Sequence, residues 1–231
     1  ASDGHGPDAA GAHAMSAAEE AGAHGDDHHA VARHPYAGIA SVVGPLVLLL
    51  SFALAVAIWM AMATTGGVET PYVRSFFYWM VTGDLHGRWA FQLDQLSMIK
   101  VLVITGIGSL IHIYSIGYME HDPRRPRFFG YLNLFVAAML VLVLSANYLG
   151  LFLGWEGVGL ASYLLIGFWQ YKHSAAAAAK KAFIVNRIGD FGLSLGVELF
   201  FTTFGTTDFT TISAAAPRSC GATMTTLCLL L

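Results

Sequence analysis

From Gly38 to Thr64 the chain runs 27 residues without a charged side chain. At 1.5 Å per helical residue, such a run exceeds the roughly 20 residues needed to cross the hydrocarbon core of a bilayer. Four more apolar stretches follow: Leu96–Tyr118, then residues 131–147, 149–170 and 176–204. The block Tyr131–Trp169 carries a single formal charge, Glu156, and is too long for one crossing. Asn147 and Gly150 mark the expected turn inside it. Charged residues make up 12% of the chain, about half the roughly 25% of soluble domains. That is too little charge to cover a soluble surface. An all-α, polytopic transmembrane bundle is the fold these features dictate, and its solvent is lipid.

The same arithmetic excludes other classes. With 12 Lys+Arg against 15 Asp+Glu and a net charge of -3, the chain offers no basic nucleic-acid surface. Cys220 and Cys228 have neither the number nor the spacing of a disulfide framework or a zinc site. Residues 1–37 differ in kind, holding six of the ten histidines and six acids among Ala and Gly. So little apolar surface predicts a disordered segment, although His24-Gly25-Asp26-Asp27-His28-His29 has the composition of a metal-chelating tract. Residues 38–231 form the membrane region, and the last ten apolar residues, 222–231, are too short to cross. They read as the start of a further span, so the chain is expected to be a piece of a longer polytopic protein.

Basic residues set the orientation. Arg33, Arg124, Arg125, Arg127, Lys172, Lys180 and Lys181 fall on one side, and Arg74, Arg88 and Arg218 on the other. The richer side, with residues 1–37, is expected in the cytoplasm. The loop 65–95 is expected outside, with a short strand at Trp89–Leu93.

Ionisable groups inside spans are functional candidates, since each costs roughly 2.5–3.5 kcal/mol at a helix centre. Glu156 lies about 10 Å below the start of its helix. Tyr163 and Gln170, at seven-residue intervals, share its face, and Gly154, Gly157 and Gly159 allow a neighbouring helix to come close. A lone carboxyl at that depth is held neutral by desolvation, and a basic partner on another helix would ionise it. Switchable pairing of that kind is what a proton carrier needs. In the fifth span Lys180, Arg187 and Glu198 project within about 20° of one another, and Arg187 and Asp190 form an i,i+3 pair. Four charges on one sector must face protein or water. Thr105, Ser109, His112 and Ser115 form a polar stripe on the second span, where His112 is either a relay or a buried donor to a backbone carbonyl. Lys180 and Lys181, beside the poly-alanine run, sit at the membrane surface and read first as snorkelling anchors.

Several segments match a known pattern: Leu93-Asp94-Gln95-Leu96-Ser97, Leu110-Ile111-His112-Ile113-Tyr114-Ser115, and Arg127-Phe128-Phe129 with Tyr131-Leu132-Asn133-Leu134-Phe135. Gly154-Trp155-Glu156-Gly157-Val158-Gly159, Ser162 to Trp169, Lys181-Ala182-Phe183 and Asn186-Arg187-Ile188-Gly189-Asp190 continue it. Together they closely resemble the L-subunit family of proton-pumping NADH:quinone oxidoreductases over residues 40–231. The resemblance implies an antiporter-like subunit of two inverted repeats that carries no redox centre. NADH, FMN, iron–sulfur clusters and quinone would then belong to other subunits, and the partners would be further antiporter-like membrane subunits. It implies that Glu156 is the proton carrier, paired with a lysine beyond residue 231, and that Arg187 and Asp190 match the family's arginine–aspartate pair. Lys181 falls within the matched segments, and nothing firm attaches to His112. A sodium/proton antiporter subunit is the alternative within the superfamily. A non-transporting scaffold and a metal-sensing module built on residues 1–37 are the alternatives of other classes.

Overall fold

A computed structural model describes residues 37–64, 71–83 and 85–219. The expected histidine-rich segment and the span at 222–231 lie outside the described residues. Six helices and one hairpin follow in order: α1 (Ala37–Thr64), β1 (Tyr72–Thr82), β2 (Leu85–Leu93), α2 (Gln95–Tyr118), α3 (Arg125–Leu144), α4 (Tyr148–Ile166), α5 (His173–Phe204) and α6 (Phe209–Ser219).

The helix starts are written locally. Asp94 caps α2, accepting from the Ser97 backbone N–H at 2.6 Å, while the Ser97 hydroxyl accepts from the Asp94 N–H at 3.1 Å. This reciprocal capping box satisfies two donors that a helix start otherwise leaves unpaired. Pro126 sits in the first turn of α3, where its missing N–H costs nothing. That start places α3 six residues ahead of the expected boundary at 131. Asn147 caps α4 by accepting from the Gly150 N–H at 2.7 Å. The fourth helix ends at Ile166, four residues short of expectation, with the Gly167 N–H donating back to Tyr163 O at 2.9 Å. Gly205, at φ +68, closes α5 with the left-handed backbone that glycine adopts without penalty.

Helices α1, α2 and α3 pack on one another, α4 packs on α3, and α5 on α4. The core is a thin seam of Leu48, Ala55, Met98, Val101, Phe129, Leu132 and Val136. Outside it the surface is apolar: only 11% of the most apolar window of α1 is buried. Among the described residues four helices (α1 to α4) are long and apolar enough to cross a membrane. An apolar exterior around a polar-containing interior is the inverse of a water-soluble fold, so the chain is an integral, multi-pass membrane protein. The expected fifth crossing, α5, is a continuous helix of 32 residues, but Lys180, Lys181, Arg187, Asp190 and Glu198 set it apart from those four.

Residues 72–93, inside the expected loop 65–95, hold more regular structure than the one strand expected. Instead of one short strand they form an antiparallel hairpin, with Tyr72 opposite Leu93 and Thr82 opposite Leu85. Strand β1 is dense in the aromatic and β-branched residues that strands favour, and Gly83 takes φ +57 at its end. Trp89 stacks on Phe77 at 6.2 Å and meets Phe91 edge-on at 5.8 Å. The hairpin is tied to one end of the bundle: Asn147 Nδ2 donates to Arg88 O at 2.7 Å, the Ala146 N–H donates to Ala90 O at 3.0 Å, and Arg88 pairs with Asp208. The opposite end holds the basic loops. There Trp169 Nε1 donates to Asp122 at 3.1 Å, and Arg124 stacks on Phe168 and Tyr171. Of the loops grouped by counting basic residues, 119–130 and the start of 170–181 meet at one end and the hairpin lies at the other, while residues 1–36 lie outside the described residues.

Candidate functional site

Glycines seat α4. A Cβ on Gly154 would lie 2.5 Å from the backbone nitrogen of Leu142, and one on Gly157 would lie 2.9 Å from Ala138 Cβ. The α3 backbone occupies that space, so α4 lies directly against it, as small residues permit in membranes. Turned the other way, α4 meets α5 in a ladder of rungs one helical turn apart. Trp155 reaches Asp190, a Cβ on Gly159 would lie 3.6 Å from Asn186 Nδ2, the Tyr163 and Phe183 ring centroids are 5.2 Å apart, and a Cβ on Gly167, at the helix end, would lie 3.2 Å from Ala179 Cβ. Steps of four on α4 against steps of three or four on α5 are the rows of two antiparallel helices.

Beside the first rung the charges converge. Arg187 Nη1 donates to Glu156 Oε2 and lies 3.7 Å from Asp190 Oδ2. The other aspartate oxygen, Oδ1, accepts from Trp155 Nε1 at 2.8 Å. The guanidinium rests over the Phe183 ring, 4.8 Å from its centroid. Side-chain exposure is 46% for Arg187, 20% for Glu156 and 8% for Asp190. One cation is thus shared between two carboxylates, and the cluster carries one negative charge in excess when both are ionised.

Three of the sequence candidates meet here. The i,i+3 contact of Arg187 with Asp190 exists, but Glu156 is the acid on which Arg187 closes. Glu156 was expected to find its cation beyond residue 231; α5 already supplies one, because the third turn of α4 faces the middle of α5. Trp155 is the member that charge-based reading missed, since an indole signals a donor only when an acid lies opposite. Tyr163 shares the α4–α5 seam, but Gln170 lies beyond the end of α4, so the expected common face stops at Ile166. Lys181 is exposed and outside the cluster, and Lys180 lines a separate cleft. Glu198 shares the sector of Arg187 but stands eleven residues, roughly 16 Å, farther along α5.

His112 is fully buried in α2, with Nδ1 2.8 Å from Gly108 O, the backbone-carbonyl arrangement that was one of its two readings. The rest of the stripe behaves alike: Thr105, Ser109 and Ser115 each donate to the carbonyl four residues earlier, at 2.6–2.7 Å. Each of the four side chains bonds a carbonyl of its own helix, the His112 Nε2 is buried without a hydrogen-bond partner among the described residues, and none of the four donates to the next along the stripe.

Two family profiles match this chain. Residues 79–129 match the N-terminus of chain 5 of NADH-ubiquinone oxidoreductase (complex I), and residues 145–231 match the transmembrane region of NADH:quinone oxidoreductase/Mrp antiporter subunits. NADH-quinone oxidoreductase subunit L of Mycobacterium tuberculosis is 50% identical over 190 residues, covering 82% of this chain and 30% of that protein. The chain belongs to the subunit L/chain 5 family. NADH-ubiquinone oxidoreductase chain 5 of Marchantia polymorpha is 54% identical over 138 residues, 60% of this chain and 21% of the relative. This member therefore spans less than a third of the length of the relatives it matches. Among solved structures, the Mrp complex of Dietzia sp. DQ12-45-1b superposes with a TM-score of 0.71 at 24% identity, over 84% of this chain and 20% of that one. At that identity the likeness is one of fold, and it is the antiporter-like helical fold.

Proposed function

We propose that this chain is part of a proton-translocating membrane subunit of an NADH:quinone oxidoreductase. The observation that carries the reading is the sharing of Arg187 between Glu156 and Asp190 at a helix seam with an apolar exterior. An unbalanced negative charge in such a place is costly, and a proton on one carboxyl removes it. With the guanidinium on Glu156, that carboxylate stays ionised. When the guanidinium swings onto Asp190, Glu156 loses its counter-charge and takes up a proton. Loading and unloading Glu156 then depends on which acid holds Arg187, and a conformational change delivered from elsewhere in the complex can set that. In this reading the redox cofactors, NADH, FMN, iron–sulfur clusters and quinone, belong to other subunits. Further antiporter-like subunits are the partners, and the basic end of the bundle faces the cytoplasm.

The match of residues 145–231 to a profile shared with Mrp antiporter subunits supports a second reading, a sodium/proton antiporter subunit. Proton uptake by vesicles holding the assembled complex tests both. Glu156→Gln keeps size and hydrogen bonding but cannot titrate, so the complex should assemble while pumping falls steeply. Glu156→Asp should retain part of the activity. Full pumping by an assembled Glu156→Gln enzyme would leave Glu156 a packing residue and favour the scaffold. Pumping that requires external sodium would favour the antiporter.

A further inference from the structure

At the basic end of the bundle, α3, α4 and α5 leave a cleft of about 370 Å³ between them. Arg124 and Arg127 line it from the start of α3 and Lys180 from α5, together with Tyr131, Tyr163 and Gln170. Among the described residues none of these three cations has a carboxylate within 4.0 Å. The nearest acid in sequence, Asp122, is engaged otherwise: Oδ1 accepts from the Arg124 backbone N–H at 2.8 Å and Oδ2 from Trp169 Nε1. Arg124 is held over the rings of Phe168 and Tyr171, 5.4 and 5.3 Å from their centroids, which fixes its guanidinium at the cleft without neutralising it. Three positive charges with no counter-charge among the described residues, gathered where two tyrosines and an amide add hydrogen-bonding groups, make a receptor for an anion.

Its position identifies the source of that anion. Trp169, Tyr171 and Tyr118 cluster around the same end, and Lys172 lies over Trp169 at 5.5 Å. Amphipathic aromatics mark the headgroup level of a bilayer. The cleft wall also includes Leu164, Ala176 and Ala179, so a molecule with a phosphate head and acyl tails meets both cations and apolar side chains there. We infer that this cleft binds the headgroup phosphate of an anionic phospholipid, with Arg124, Arg127 and Lys180 as its cations. The inference needs only the membrane location of the chain and is independent of the proton-carrier reading. Basic pockets between transmembrane helices recognise anionic headgroups through such charges, and each Lys or Arg near the surface contributes about fivefold in affinity.

The test uses the assembled complex, a photo-crosslinkable phosphatidylglycerol and vesicles of phosphatidylcholine with or without phosphatidylglycerol. Adducts should map to residues 124–131 and 163–180 of the wild type, and bound phosphatidylglycerol should exceed phosphatidylcholine. R127Q/K180Q, which leaves the stacked Arg124 in place, should weaken phosphatidylglycerol retention by roughly 25-fold, and R127K/K180R should retain it. Equal retention of the two lipids, unchanged retention in R127Q/K180Q, or adducts confined to other segments would overturn the inference. Displacement of phosphatidylglycerol by inorganic phosphate alone would also overturn it, by making the site one for the free anion. Should R127Q/K180Q not assemble, the wild-type adduct map decides.

Discussion

The indole nitrogen of Trp155 lies 2.8 Å from Oδ1 of Asp190, while Arg187 approaches the other oxygen of the same carboxylate at 3.7 Å. The aspartate thus has a neutral donor on one oxygen and a cation near the other. Because the indole holds Asp190 in place, Arg187 can lean onto Glu156 without leaving a buried carboxylate bare. Trp155→Phe keeps the ring and removes the donor. A hydrogen bond to a charged group is worth about 1.5–3 kcal/mol, so the variant should lose stability on that scale. Arg187 should then be drawn toward Asp190, and proton pumping should fall by more than the amount of assembled complex. A variant that pumps normally would show that the indole serves packing alone.

The shared cation makes the three charges unequal. Asp190→Asn leaves Arg187 its contact with Glu156, whereas Arg187→Gln leaves two carboxylates side by side with no cation. Arg187→Gln should therefore be the more damaging single change, and adding Glu156→Gln to it should restore part of the lost assembly. A double-mutant cycle on assembled complex measures this. Additive losses from Arg187→Gln and Glu156→Gln would reject their direct pairing.

Close approach of α4 to α3 sets where Glu156 stands. Gly154→Ala would place a Cβ 2.5 Å from a backbone nitrogen and 2.6 Å from a Cα of Leu142, neither of which can rotate away. The helices must part, at a cost of at least 1–3 kcal/mol as for overpacked cores. Gly130→Ala in α3 meets nothing within 4 Å and should be tolerated, since alanine favours the helix. Thermal stability of the two assembled variants distinguishes them. Equal stability would mean that the α3–α4 seam is looser than its geometry.

Much of this architecture is visible along the chain, and the reason is lipid. Apolar runs declare helices because the bilayer leaves the backbone no other way to pair its groups. Glu156, Arg187 and Asp190 stand out for the same reason, as charges where charges are costly. Pairing across helices is a different matter. The Arg187–Glu156 contact depends on the rotation and register of α4 against α5, which Gly154 and Gly157 set through contacts with a third helix. Trp155 looks like any lipid-facing aromatic until α5 is in place. The hairpin carries a readable signal in the aromatic and β-branched residues of Tyr72–Thr82, whereas long apolar runs mark only helices. Arg88 was counted as a loop charge, though it pairs with Asp208 across 120 residues of chain.

The cap of α2 gives the structure a defined acid sensitivity. Burial alone would push the Asp94 carboxyl up, but hydrogen bonds from the Ser97 side chain and backbone, Gln92 and the Leu96 backbone outweigh it and leave its pKa below the ordinary aspartate value. A group lowered on folding contributes stability that is full above its unfolded value, about 3.9, and is lost as pH falls through the lower folded value. Asp94→Ala removes the cap and should cost about 1 kcal/mol near neutral pH. The gap between wild type and Asp94→Ala should narrow below about pH 4, where the wild-type carboxyl gains its proton. Asp94→Asn, a comparable cap that does not titrate, should keep most of the neutral-pH stability and show no step in that window. Hydrogen exchange of the first turn of α2, followed from neutral to acid pH in the assembled complex, reads the effect where it arises. A wild-type-to-alanine gap that stays constant across the whole range would remove the charge of Asp94 from the account and leave only its shape.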